Sequence, residues 1–157
     1  MNLLSLLILP LLMFLLISVP VRAQGVVLSV EPQYNYYGVG ENFTVEVRID
    51  NVQNLYAWMV LLTFNSSVLN VLNVSYTPDN IFDGNVTVIV VTPVVDNVAG
   101  YVDDGACLLG NVAGVSGSGG LFQVTFAVVG HGESTLKIDT EGILSGGIVS
   151  LLLDPSI

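Results

Sequence analysis

Over much of the chain apolar residues fall at every second position, the period of a half-buried strand. From residue 51 to 76, NVQNLYAWMVLLTFNSSVLNVLNVSY, two such runs flank a polar corner and enclose the only tryptophan. Tyr56, Trp58, Val60, Leu62 and Phe64 share one face of the first run, five large side chains of the kind a sandwich core needs. The other face carries Leu55, Ala57, Met59 and Leu61 before Thr63, so this strand is either covered on both sides or shows an apolar stripe to a partner. Asn65-Ser66-Ser67 turns the chain, and Val68, Leu69, Val71, Leu72 and Val74 form the second run. The two runs are expected to pair as the central hairpin of an all-β domain.

The flanking sequence follows the same rule. A strand over 26–30 stops at Glu31-Pro32, and a loop over 33–41 holds glycine at two turn positions. Residues 43–49 alternate, with Phe43, Val45, Val47 and Ile49 inward and Thr44, Glu46 and Arg48 toward solvent. Turn residues follow at 77–80, then a strand at 86–91 weakened by Thr92-Pro93. Residues 96–105 read as a polar connection, 106–112 as a strand, and the glycine and serine of 113–120 as a flexible loop. Further strands are expected at 121–129, 134–138 and 148–153, with a Gly130-His131-Gly132 turn between the first two. Nine strands and no helix predict an all-β, nine-stranded antiparallel jelly-roll sandwich.

Composition changes this picture mainly at the N-terminus. Residues 3–21 are almost wholly apolar and lead to Val21-Arg22-Ala23, a small-residue cleavage pattern, so residues 1–23 read as a signal peptide and 24–157 as the domain. The rival is an uncleaved anchor, which would make a membrane contact. After residue 23, Arg48 and Lys137 stand against 13 acids, a charge of −11. That excludes nucleic acid, whose phosphates need clustered lysine and arginine. Cys107 is the only cysteine, so stability rests on the β core and not on an internal disulfide. Sequons at Asn42, Asn65, Asn73 and Asn85 fit an exported glycoprotein, with Asn65 at the corner the best acceptor. The sequence stops at Asp154-Pro155-Ser156-Ile157 with neither anchor nor linker, the pattern of a truncated C-terminus.

Catalytic chemistry is poorly provided for. His131, the only histidine, reads as a turn residue, and Cys107 as an inert thiol buried in an apolar strand. Asp103 and Asp104, with Asp96 and Asn97 upstream, are the candidate oxygen ligands for calcium, although no EF-hand spacing is present. Tyr34, Tyr36 and Tyr37 in a glycine-flanked loop, with Tyr101 as a weaker addition, are candidates for stacking on a polysaccharide. The alternative is that Tyr34 or Tyr36 plugs the end of the sandwich.

The order of five segments, VVLSV at 26–30, VGENFTV at 39–45, NVQNLYAW at 51–58, LTFNSSVL at 62–69 and GLFQVTF at 120–126, resembles a cohesin domain. The likeness spans about 26–153 and is nearest to cohesin-like domains of secreted archaeal proteins, where a segment like LLGNV at 108–112 through GSG at 117–119 recurs. It implies a nine-stranded jelly roll and no catalysis. In bacterial cohesins one sheet grips a calcium-bound dockerin; carried over, that sheet would contain 55–64, 86–91, 106–112 and 134–138. Ala57, Met59 and Leu61 would then face the partner, joined by Leu109 or Leu108 and by Lys137. Asn65-Ser66 stands where bacterial cohesins commonly have aspartate-proline. The expected function is a non-catalytic extracellular module that recognises a dockerin-like protein or a polysaccharide at the cell surface. The alternatives are a carbohydrate-binding module using the loop tyrosines and a structural cell-surface or filament subunit.

Overall fold

The computed structural model describes residues 25–84, 87–138 and the backbone of 152–153. Its longest strand, β2 (Asn42–Thr63), runs through the break expected near residue 51 and bends there instead of ending. Asn51 and Asn54 each hold a left-handed φ of 58°, a conformation asparagine tolerates better than most residues. Register shifts on either side of Val52 mark the same bend. The two halves of β2 therefore belong to different layers.

In the first layer, the N-terminal half of β2 lies between β1 (Val27–Glu31) and β7 (Val115–Val128), and β7 also pairs β3 (Leu69–Tyr76). In the second, the C-terminal half pairs β6 (Tyr101–Leu108) on one side and β8 (Lys137–Ile138) and β9 (Leu152–Leu153) on the other. The far side of β6 takes β4 (Val88–Val90) and β5 (Val94–Asp96). All these ladders are antiparallel. The layers meet through aromatic rings: Trp58 stacks on Phe122 with centroids 5.8 Å apart, and Phe64 meets Phe126 edge-on at 5.2 Å. Val47, Ile49, Val60, Leu62, Val102 and Val124 fill the space between them. The Trp58 Nε1–H is buried among them, with no acceptor among the described residues.

Nine strands are present among the described residues, the number expected, but they are not the same nine. The runs at 43–49 and 55–64 are one strand, and 94–96 is an additional one. The expected hairpin is absent. The corner at 65–68 forms, with the Val68 and Leu69 N–H groups donating to the Asn65 carbonyl, but β3 then crosses to the other layer and pairs β7, not β2. Leu55, expected on the outer face, is fully buried because the left-handed Asn54 just before it shifts the alternation.

The glycine-rich stretch expected to be a loop is the first half of β7, paired with β2 through Gly120, Gly119, Gly117 and Val115. Its small residues answer a packing demand. Residues 77–82 lie flat across this part of the strand, with the Ile81 N–H donating to the Gly120 carbonyl at 2.9 Å and Thr77, Asn80, Ile81 and Phe82 buried. A Cβ at Gly119 would come 2.9 Å from Ile81 Cα, and one at Gly120 2.5 Å from Thr77 Cγ2. Arg48 clamps the crossing segment by pairing with Asp79 at 2.8 Å and with Glu46. The polar connection expected over 96–105 is mostly structured: a turn at 97–100 joins β5 to β6, whose range replaces the expected 106–112. Residues 1–23, Asn85 and most of 148–153 lie outside the described residues; 152–153 are strand.

Candidate protein-binding face

The outward side of the second layer is built by alternation from strands already fixed by the core. Trp58, Val60 and Leu62 point inward, so Ala57, Met59, Leu61 and Thr63 point outward. Across the β2–β6 ladder these oppose Cys107, Gly105, Asp103 and Tyr101. Ile89 continues the first row beyond Cys107, Val94 the third beyond Asp103, and Asp96 the fourth beyond Tyr101. Leu109 keeps the outward parity of β6 and its N–H donates to the Thr87 carbonyl at 2.8 Å, while Lys137 pairs Thr63 at the other border. The five residues singled out for a partner therefore share one sheet face. Leu108, the other candidate named beside Leu109, is buried.

Met59 stands at the middle of this face and is 41% exposed. Its cross-strand neighbour Gly105 has no side chain to shield it, and a Cβ there would lie 2.9 Å from the Trp58 carbonyl. Ala57 and Leu61 are half-buried, whereas Ile89, Val91, Val94 and Leu109 are exposed. Cys107 is half-buried in this face, not enclosed in the core as expected. The centre is thus apolar, with Asp103 and Asp96 toward one end and Lys137 at that end's border. Burial raises the Asp103 carboxyl above its ordinary pKa.

The three candidate carboxylate ligands for calcium do not converge, and the side chain of the fourth candidate, Asn97, is engaged with the Val71 backbone. Asp103 and Asp104 are neighbours in a strand and so face opposite ways, Asp103 outward and Asp104 into the sandwich opposite Val60. The Asp96 carboxylate is used in the turn, where Oδ1 accepts the N–H groups of Val98 and Ala99, each at 2.8 Å. Among the described residues no group of three His, Cys, Asp or Glu side chains could hold a metal ion. Asp104 is notable for another reason: it is 3% exposed and its carboxylate accepts the Gly105 N–H at 2.8 Å. Burial pushes its pKa up to about 6, the Gly105 bond opposes this, and the Asp103 charge adds to it. Burial, and after it Asp104 and Cys107, raise Tyr76 to about 12.

The candidate stacking tyrosines separate as well. Tyr34 and Tyr36 are 90% and 97% exposed, so neither plugs the sandwich. Tyr37 is also exposed but lies against the domain, stacking on Phe43 at 4.1 Å, with Asn35 donating to its hydroxyl at 2.7 Å. Tyr101 lies in the second layer, apart from this loop on the first. Of the sequons, Asn42 and Asn73 are exposed; the Asn65 side chain is engaged, accepting from Ser67 and donating to the Glu133 carbonyl. His131 is exposed in its turn.

Two bent layers joined through one long strand, with a β3 that crosses between them, constitute the fold of the cohesin modules, a nine-stranded antiparallel jelly roll. The second type II cohesin module of the ScaA scaffoldin of Acetivibrio cellulolyticus is similar at a TM-score of 0.60 and 15% identity, covering 76% of this chain and 77% of its own. A type I cohesin–dockerin complex from Clostridium thermocellum is similar at 0.58 and 12%, covering 82% and 87%. A type II cohesin–X-dockerin complex from Acetivibrio cellulolyticus is similar at 0.56 and 13%, covering 76% and 83%. No family model matches the sequence, and neither does any curated protein.

Proposed function

We propose that the chain is a non-catalytic, exported cohesin-type module whose second-layer outer face receives a protein partner of dockerin type. The observation that carries this reading is Met59, 41% exposed at the centre of an apolar sheet face whose backbone is held from behind by the core. A large flexible thioether beside a glycine suits an interface anchor, since it fills irregular surfaces and is surrounded by apolar neighbours that exclude water. Two of the similar structures are cohesin–dockerin complexes, which supports the choice of partner class. Replacing Met59 by Asp buries a charge at the middle of any such interface. The expected result, in titration calorimetry against a panel of calcium-loaded dockerins, is that the best binder loses at least thirtyfold in affinity, about 2 kcal/mol. The melting temperature stays where it was. A panel with no binder, or a variant that binds normally, overturns the reading.

A second reading, polysaccharide binding, is favoured by a different feature. The loop over 32–40 presents Tyr34 and Tyr36 almost wholly to solvent, yet it is anchored by the Tyr37–Phe43 stack and by the Gly40 N–H donating to the Val128 carbonyl at 2.8 Å. Ordered, exposed rings are what stacking on sugar faces requires.

A further inference from the structure

The sequons are not equivalent once the strands that carry them are known. Residues two apart in a strand face the same way, so an Asn-X-Ser/Thr triplet there presents its acceptor amide and its hydroxyl on one side. Asn42 and Thr44 open β2 and oppose Ala127 and Thr125 of β7, while Asn73 and Ser75 of β3 oppose Thr125 and Gln123 from the other flank. Val124 and Phe126, which alternate with these β7 partners, are buried, so both triplets point out of the first layer. All four polar residues are exposed. Among the described residues neither the Asn42 nor the Asn73 amide has a hydrogen-bond partner, and the Thr44 hydroxyl bonds only its sheet neighbour Thr125, at 2.9 Å.

Asn65, which the sequence alone favours, is the opposite case. Its Oδ1 accepts the Ser67 N–H at 3.1 Å and the Ser67 hydroxyl at 2.7 Å, and its Nδ2 donates to the Glu133 carbonyl at 3.2 Å. The amide is spent on fastening the corner to the segment at 133–134, where the Ser134 hydroxyl also accepts the Asn65 N–H at 3.0 Å. A sugar attached before folding must be tolerated by the fold, and one attached afterwards must reach a free amide. Asn42 and Asn73 meet both conditions, and Asn65 meets neither. We infer that Asn42 and Asn73 carry N-linked oligosaccharides and that Asn65 does not, so that the module is glycosylated on one face. The inference rests on the exported character proposed above, because the donor, an oligosaccharide carried on a lipid phosphate, meets only chains that cross a membrane. In the transfer the asparagine Nδ2 attacks the anomeric carbon of that donor. The N–C bond forms as the C–O bond to the lipid phosphate breaks, and one amide proton leaves with the phosphate. Two strands and one row of side chains separate the two acceptors, a distance of about 12 Å. Both stand on the side of the sandwich away from Met59, so two solvated sugar chains cover the first layer and leave the second-layer face open.

Expression of the full chain in a eukaryotic host that N-glycosylates its exported proteins tests this, with site occupancy read by mass spectrometry of the glycopeptides. Asn42 and Asn73 are expected to be occupied at least about tenfold more than Asn65. Asn42→Gln and Asn73→Gln are each expected to lower the intact mass by one oligosaccharide, and Asn65→Gln by none. Thr44→Ala and Ser75→Ala, which keep the asparagines and remove only the sequon hydroxyls, are expected to act like the first two. An exported chain that is bare at Asn42 or at Asn73, or as fully occupied at Asn65, overturns the inference and leaves the export reading standing. A chain left in the cytosol overturns the export reading and the inference with it.

Discussion

Replacing Asp104 by Asn tests the one carboxyl group that β6 turns into the sandwich. In the folded chain its pKa is about 6 against an ordinary 3.8, because burial penalises the charged form. The native state therefore holds this proton more tightly than the unfolded chain does, and between those two values native protein binds more protons. Stability must fall as pH rises through that window, and the whole penalty is present above about pH 6. At 1.36 kcal/mol per tenfold change in proton affinity, the difference is at most about 3 kcal/mol. Relaxation and water near the group reduce this to about 1–2 kcal/mol. Asparagine keeps an oxygen for the Gly105 N–H and carries no charge, so it escapes the penalty.

Urea unfolding of both proteins from about pH 4 to about pH 8 measures the difference. The two stabilities are expected to converge at the acid end and to separate to about 1–2 kcal/mol at the neutral end, with Asp104→Asn the more stable. Asp79 pulls the other way. The Thr77 hydroxyl first, and Arg48 after it, hold its carboxyl below the usual range, so its contribution is present above its unfolded pKa and is lost as pH falls. Both proteins share that contribution, and it cancels in the difference. A gap between them that does not change with pH, or a wild type that is the more stable at neutral pH, refutes the assignment of Asp104 as a buried, penalised charge.

Two other changes probe the first layer. Gly120→Ala introduces a Cβ 2.5 Å from Thr77 Cγ2, and the crossing segment must lift; urea unfolding is expected to show a loss of about 1–3 kcal/mol, and an unchanged midpoint contradicts the packing described. Tyr34→Ala with Tyr36→Ala removes rings that touch little of the protein, so stability is expected to hold within about 0.5 kcal/mol. If the polysaccharide reading is correct, the same double variant loses its retardation in affinity gels cast with soluble polysaccharide; retardation that survives assigns the binding elsewhere.

What was legible in the sequence was whatever depended on period alone. Trp58, Val60, Leu62 and Phe64 alternate with Ala57, Met59 and Leu61 because a strand allows nothing else, so the core and the outward face follow together from one run of residues. The ends of that alternation were not legible. Asn51 and Asn54 look like turn residues, and in isolation they are; here they bend a strand that neighbours on both sides keep paired, and the bend moves Leu55 inside. Pairing was also hidden, since two apolar runs joined by a short corner resemble a hairpin whether or not the second run crosses to the opposite layer. The glycine-rich stretch misled for a further reason: absence of side chains is the signature of a flexible linker and equally of a strand pressed under another segment. Only the position of Thr77 and Ile81 over Gly119 and Gly120 separates those cases. Asp103-Asp104 was opaque in the same way, because adjacent carboxylates suggest a shared ion until a strand is known to pass through them and send one to the outer face and the other into the core.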